Sequence, residues 1–369
     1  MDVIALVRVA AARKATDLNL IVDSQPLLRI DGVIQPLGEG PRLEEADVVE
    51  ALHQLTTNAA REKFRNEMEL DFGYSVPGVG RLRCNAAQQF NGLSLAIRLL
   101  PQRIPSIDEL ELPTIYKRLA EEQRGLFMVT GPTDSGKSTA LAAMIHHLNT
   151  TGGYHIVTVE DPIEYVHTGI KSAVTQRELG SHTSSFAEAL RHVLRQNPDV
   201  IMVGEIRDLD TAAAVLSIAE AGHLVLSTSH APSAPQAIER IVDLFPLYER
   251  HLSEVRLASL LVAVCCQSLV PRADGKGRIA AVEIMLATPA VRSMIREGKV
   301  YQLFNVMRTS QDKGMVSLDQ ALANLCMKGV ITQQTALNFC RDREELAKLI
   351  QFIPKPARTK KHEPMAPAS

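Results

Sequence analysis

Gly131-Pro132-Thr133-Asp134-Ser135-Gly136-Lys137-Ser138-Thr139 decides the reading of this chain. The stretch fits the spacing G-x-x-x-x-G-K-[ST], in which a glycine-rich turn offers its backbone N–H groups to phosphate. Its surroundings complete the pattern. Leu126 to Thr130 is an apolar run of strand length, and Ala140 to Leu148 is rich in Ala, Leu, Ile and Met, as a helix requires. Strand, loop and helix in that order turn the positive end of a helix dipole and a set of N–H donors toward an anion. In such a loop Lys137 reaches the terminal phosphates of a nucleotide and the Ser138 hydroxyl ligates Mg²⁺.

Downstream, Tyr154 to Val159 reads as a strand that ends in Glu160-Asp161-Pro162-Ile163-Glu164. Ser185 to Glu188 has the form of a capping box, opening a helix with Phe186, Leu190, Val193 and Leu194 on one face. Asp199 to Glu205 gives a third strand with an acid at its end, and Leu224 to Thr228 a fourth, flanked by His223 and His230. Alternating strands and helices predict a parallel α/β core. Ligands of open α/β sheets bind at the carboxyl ends of strands, so the acids there should meet the nucleotide. Glu205 is the candidate general base, with an ion pair to Arg207 as the structural alternative. Glu160 is the second candidate, acting through Mg²⁺ or through the same water. On the residues alone, His223 and His230 beside an apolar strand read as hydrogen-bonded structural histidines.

Upstream, Leu18 to Val22 and Leu27 to Ile30 read as strands, and Asp31-Gly32 before Val33-Ile34 as a two-residue hairpin. Leu43 to Leu55 has helical spacing. Arg81 to Ala86 alternates, placing Arg81, Arg83 and Asn85 on one face and Leu82, Cys84 and Ala86 on the other. Arg98 lies in a second such run, Ser94 to Leu99. These arginines are either a solvated sheet face or a set of ligands. Pro101 to Pro105 interrupts regular structure as a linker.

The chain has 369 residues, a net charge of -2 and 46% hydrophobic residues. That composition supports two or three globular domains and does not suggest a nucleic-acid binder. A basic or aromatic strand-binding segment is also lacking, which argues against a nucleic-acid motor. The five cysteines, Cys84, Cys265, Cys266, Cys326 and Cys340, form no C-x-x-C pair, so they read as buried thiols in a reducing compartment. No export signal and no spanning segment is expected.

Several stretches together resemble the type IV pilus retraction ATPases, the PilT-type motors within the wider secretion ATPase family, over about Asp17 to Glu345. Val159 to His167 resembles the family's acidic box, and Asn197 to Asp208 its atypical Walker B segment. Ala221 to His230 resembles its histidine box, and Arg240 to Pro246 the segment that follows. Ala290-Val291-Arg292-Ser293-Met294-Ile295-Arg296-Glu297 resembles a retraction motif, and by its own spacing is an amphipathic helix. No four-cysteine zinc insert of the extension motors is present. The resemblance implies an α/β fold with a RecA-like P-loop ATPase core, preceded by a small α+β PAS-like domain and followed by a helical C-terminal region. Expected boundaries are 1–100, a linker at 101–106, the ATPase domain at 107–285, helices at 286–352 and a disordered tail at 353–369. It further implies ATP and Mg²⁺ as cofactors, and a homo-hexamer at the cytoplasmic membrane face. The expected partners are an inner-membrane platform protein and, for an accessory motor, a second retraction ATPase. Arg81, Arg83 and Arg98 become arginine sensors, and His223 and His230 join the nucleotide site.

Departures from the family pattern set the alternatives. Asp134 stands where glycine is usual; it tolerates a left-handed backbone better than most residues. Its charge, about 6 Å from a phosphate, would cost about 3 kcal/mol at an effective dielectric constant near 20, and much less if the side chain is screened. Ser229, Ala231, Ser268 and Asn19 replace the usual Leu, Thr, Arg and His. The expectation is a hexameric retraction ATPase; the alternatives are an accessory retraction paralogue and a nucleotide-binding regulatory subunit that does not hydrolyse ATP.

Overall fold

Alternating burial builds the first half of the molecule. The computed structural model describes residues 1–30, 32–101 and 103–351. It begins α1 (Val3–Ala12), β1 (Asp17–Ile21), β2 (Leu27–Ile30), β3 (Val33–Pro36), α2 (Glu45–Leu55), α3 (Asn58–Glu67), β4 (Glu69–Val76), β5 (Gly80–Gln89) and β6 (Gly92–Leu99). The strands form one antiparallel sheet in the order β3-β2-β1-β6-β5-β4. Leu82, Cys84 and Ala86 of β5 are buried while Arg81, Arg83 and Asn85 between them are not, the period of two read from the sequence. Val3 and Val7 of α1 and Val48 and Leu52 of α2 pack with Leu18, Leu82, Leu95 and Ile97 into one core. Both helices therefore occupy the apolar face. The other face carries Arg83 and Arg98, which the β5–β6 register sets directly opposite each other.

The second half continues α4 (Ile115–Ala120), β7 (Gly125–Thr130), α5 (Lys137–Thr151), β8 (His155–Glu160), β9 (Ala173–Glu178), α6 (Phe186–Val193), β10 (Val200–Val203), α7 (Leu209–Glu220), β11 (Leu224–Ser229), α8 (Ala234–Asp243), α9 (Arg250–Leu260), β12 (Leu261–Pro271) and β13 (Arg278–Leu286). The sheet order is β13-β12-β7-β11-β10-β8-β9. Every residue of β7, β10 and β11 is buried, as expected for parallel strands covered on both faces. On one face Leu141, Met144 and Ile145 of α5 pack with Tyr116 and Phe127. On the other, α6 to α9 cover Leu126, Met128 and Ile201. The sheet is mixed rather than parallel throughout, because β13 returns antiparallel to β12.

The described residues close with helices α10 (Pro289–Arg296), α11 (Leu303–Thr309), α12 (Leu318–Met327), α13 (Gln333–Phe339) and α14 (Arg343–Gln351). Val291 and Ile295 of α10 are buried, as the amphipathic spacing predicts. The whole is an α/β protein with a RecA-like core, a PAS-like sheet before it and a helical C-terminal region.

Some expectations change. Leu194 does not share the apolar face of α6: the helix ends at Val193, and Leu194 opens a 3-10 turn, 38% exposed. Cys84, Cys265 and Cys266 are buried, but Cys326 and Cys340 are only half-buried. Asp31 of the hairpin, Gln102 of the linker and the expected tail 353–369 lie outside the described residues.

Candidate nucleotide site

The phosphate loop leaves β7 at Thr130, whose hydroxyl accepts the Ala231 N–H at 2.9 Å and ties the loop's entry to the chain just after β11. Gly131 has φ +142°, and a Cβ there would lie 2.3 Å from the Gln267 carbonyl oxygen and 2.7 Å from Ser135 Oγ. Only glycine fits. Asp134 adopts φ 61° and is exposed. Gly136, at φ 85°, precedes α5, whose first N–H groups have no partner within the helix.

Lys137 is 7% exposed. Its Nζ donates to the carbonyls of Gly131 at 3.0 Å and Pro132 at 2.8 Å, and lies 3.5 Å from His230 Nδ1. Burial lowers its pKa, opposed by the charge of Glu205. These two carbonyl contacts hold the ammonium on its own loop, from which it can swing to a phosphate.

The acids sit where the strand ends place them. Glu160 closes β8, with Oε1 accepting from the Thr158 hydroxyl at 2.6 Å and Gln176 Nε2 at 3.0 Å. Burial pushes its carboxyl up to about 7 despite those bonds. Glu205 follows β10; its Oε2 accepts from Arg207 Nε at 2.7 Å and lies 3.5 Å from His230 Nε2. The Arg207 alternative is thus realised, and the same carboxylate still faces His230. Burial and the Lys137 charge lower the His230 pKa.

A pocket of about 440 Å³ brings together Thr133 to Thr139, Glu160, Glu205, His230 and, from the first sheet, Arg83 and Arg98. Arg98 Nε is also paired with Asp17 Oδ1 at 2.9 Å. Arg81 is absent from the pocket wall: it turns to Glu178, 2.5 Å away, through space that Gly73 leaves open. His223 is absent too. It precedes β11, at the amino end of the strand, with Nδ1 3.3 Å from the Ile218 carbonyl. Tyr165, Leu269 and Arg278 also line the pocket, and sequence reasoning assigned none of them a role. Tyr165 places its hydroxyl 3.0 Å from Thr139 Oγ1, while Leu269 and Arg278 come from the β12–β13 hairpin. Only tertiary pairing of that hairpin with β7 brings the last two here.

Among the described residues, Ser135 Oγ and Gln267 Oε1 are buried without a hydrogen-bond partner. An orphaned hydroxyl in the loop, unpaired helix N–H groups and a movable ammonium fit a bound phosphate chain. With acids at two strand ends beside it, this pocket in a RecA-like core defines a P-loop ATPase. Residues 76–283 match the family model described as type II/IV secretion system protein. The type IV pilus retractation ATPase PilT of Pseudomonas aeruginosa is 42% identical over 336 residues, 91% of this chain and 97% of that protein. The type IV pilus ATPase PilU of the same organism is 39% identical over 352 residues, 95% and 92% of the two chains. A crystal structure of the pilus retraction motor PilT with bound ADP superimposes with a TM-score of 0.87 at 40% identity, covering 94% of this chain and 99% of that one. This chain belongs to the type II/IV secretion system protein family.

Proposed function

We propose that the protein hydrolyses ATP as a Mg²⁺-dependent hexamer and that turnover drives retraction of a type IV pilus, removing pilin through an inner-membrane platform protein. The observation that carries this reading is the joint pocket: Lys137, Glu205 and His230 of the core face Arg83 and Arg98 of the other sheet. The relatives' names supply pilus retraction, and the family resemblance the ring. Among the described residues no helix is long and apolar enough to cross a membrane, so membrane contact would pass through partners.

In this reading the loop N–H groups and Lys137 bind the β- and γ-phosphates. Glu205 polarises a water for in-line attack on the γ-phosphorus and takes up its proton, with Glu160 beside it. His230 keeps Glu205 and Lys137 in register. Among the described residues no cluster of three or more His, Cys, Asp or Glu could hold a metal ion, which suits a cation shared with phosphate oxygens. The Ser138 hydroxyl and the Glu160 carboxylate, hard oxygen donors, would hold Mg²⁺, which neutralises phosphate charge. Arg83 and Arg98 grip the nucleotide from the other sheet, so loss of the γ-phosphate weakens the closed arrangement and turns one domain against the other.

Asp134 and Ser229 favour a second reading, an accessory paralogue or a regulatory subunit of low activity. Steady-state ATP hydrolysis by the purified protein, beside Glu205→Ala and Asp134→Gly, decides. Glu205-dependent turnover supports the motor. An inert wild type rescued by Asp134→Gly supports the second reading.

A further inference from the structure

The segment after β11 that carries His230 is held by side chains remote in sequence. Arg240 Nη1 donates to the His230 carbonyl at 2.9 Å. Arg341 Nη2 donates to the Pro232 carbonyl at 2.6 Å, while its Nη1 pairs with Glu283 on β13. Glu283 has no exposed surface, and its other oxygen accepts the Ala234 N–H at 2.7 Å, at the start of α8. The pair therefore grips both ends of Pro232–Ala234.

Arg341 is in turn fixed by the C-terminal helices. Its own N–H donates to Asp319 Oδ1 on α12 at 2.8 Å, and the Asp342 N–H to Asp319 Oδ2 at 3.1 Å. Its guanidinium lies over the Phe304 ring of α11, 5.3 Å from the centroid. A fully buried carboxylate is costly to desolvate. Glu283 is not among the residues lining the nucleotide pocket; its two oxygens instead fix the segment that positions His230.

We propose that Glu283 and Arg341 are positioning residues for ATP hydrolysis, making the placement of the C-terminal helices an input to His230 and, through it, to Glu205 and Lys137. This rests on the ATPase reading and adds a control point to it. The route is a contiguous set of contacts: Asp319 to Arg341, Arg341 to Pro232 and Glu283, and His230 to Lys137 and Glu205 at 3.5 Å each. A partner or neighbouring subunit that displaces α12 or α14 would draw Arg341 off Pro232 and loosen His230.

The test is a double-mutant cycle in the full-length protein. Arg341→Lys keeps Glu283 paired but cannot fork to Pro232 as well. The double variant Glu283→Gln with Arg341→Gln leaves no unpaired buried charge, so one of the two remains informative if the other folds poorly by circular dichroism. Each is made in the wild type and in a His230→Asn background, with kcat and KM for ATP and Kd for ADP measured in Mg²⁺. We expect kcat to fall on the order of tenfold in the wild-type background, KM to move by less than about twofold, and no further loss in His230→Asn. Equal losses in both backgrounds, or none in either, overturn the proposal. If the wild type binds ADP without hydrolysing ATP, the ATPase reading fails by itself. The positioning claim then stands on an ADP affinity that shifts in the wild type but not in His230→Asn, and falls if the shifts are equal or absent.

Discussion

Arg81 of β5 and Glu178 at the end of β9 meet at 2.5 Å, the arginine 17% exposed and the carboxylate 2%. The pair joins the two sheets. Glu178 also accepts the Ile163 N–H at 3.0 Å and the Ser181 hydroxyl at 3.2 Å, so the same carboxylate holds the segment that follows Glu160. Arg81 and Arg83 alternate along one strand face, yet one is spent on the fold and the other lines the pocket.

Arg81→Ala leaves Glu178 buried and unpaired, and is expected to cost about 3 kcal/mol of stability while ADP affinity is largely kept. Arg83→Ala should do the reverse, weakening ADP binding with a stability change within about 0.5 kcal/mol. Urea unfolding and calorimetric titration with ADP measure both. A weakened ADP affinity in Arg81→Ala without loss of stability would return Arg81 to the nucleotide.

Glu205→Gln keeps an oxygen for Arg207 Nε but cannot take a proton from water. We expect kcat to fall by about 10²–10⁴ with ADP binding retained. Lys137→Ala should lose binding itself, because its ammonium is the loop's own cation. Wild-type turnover in Glu205→Gln would move the base to Glu160.

Two buried groups give the nucleotide-free protein opposing pH dependences. Burial holds the His167 pKa down at about 4, with the charge of His146 adding to the effect. The unfolded chain therefore binds more protons below about pH 6.5, and this histidine destabilises the fold as pH falls from there toward 4. Glu160, pushed up to about 7, works the other way: its contribution falls as pH rises from about 4.5 toward 7. Each effect is about 3 kcal/mol in full. Between pH 4.5 and 6.5 the two should largely cancel. His167→Asn should then lose stability as pH rises through that window, and Glu160→Gln should gain it, as read by urea unfolding without nucleotide. Parallel pH curves for the two variants would refute the assignment.

Local pattern made the phosphate loop and its flanking strand and helix legible, because glycine spacing and a continuous apolar run are properties of neighbours in sequence. The acids at strand ends were legible for the same reason. Histidine placement was half legible. β11 has six residues, roughly 20 Å of extended chain, so His223 and His230 at its two ends cannot both reach one phosphate. β9, Ala-Val-Thr-Gln-Arg-Glu, is a polar edge strand with no apolar run, so neither it nor the partner it offers Arg81 was visible. Arg278 and Arg341 owe their positions to a hairpin and to helices that fold back over long sequence separations. Nothing in their neighbours announces that.

Asp134 is the departure with the sharpest consequence. Its backbone is left-handed, its side chain is exposed, and it shares the pocket wall with Arg98 and Lys137. Its charge adds a little to the raised pKa of Arg98 and opposes a little the burial that lowers that of Lys137. Before nucleotide arrives, this carboxylate therefore competes for the cations that phosphate needs; afterwards it repels the phosphate. Because it is exposed, water screens most of both effects, and exposed charge pairs are worth about 0.2–1 kcal/mol. Asp134→Gly should tighten ADP and ATP binding about two- to fivefold, with the gain shrinking as salt is raised. Asp134→Asn separates the causes, since Asn tolerates the same backbone without the charge. If Asn reproduces the gain, charge is responsible. If only Gly does, the cost lies in the backbone, and the electrostatic account of this loop fails.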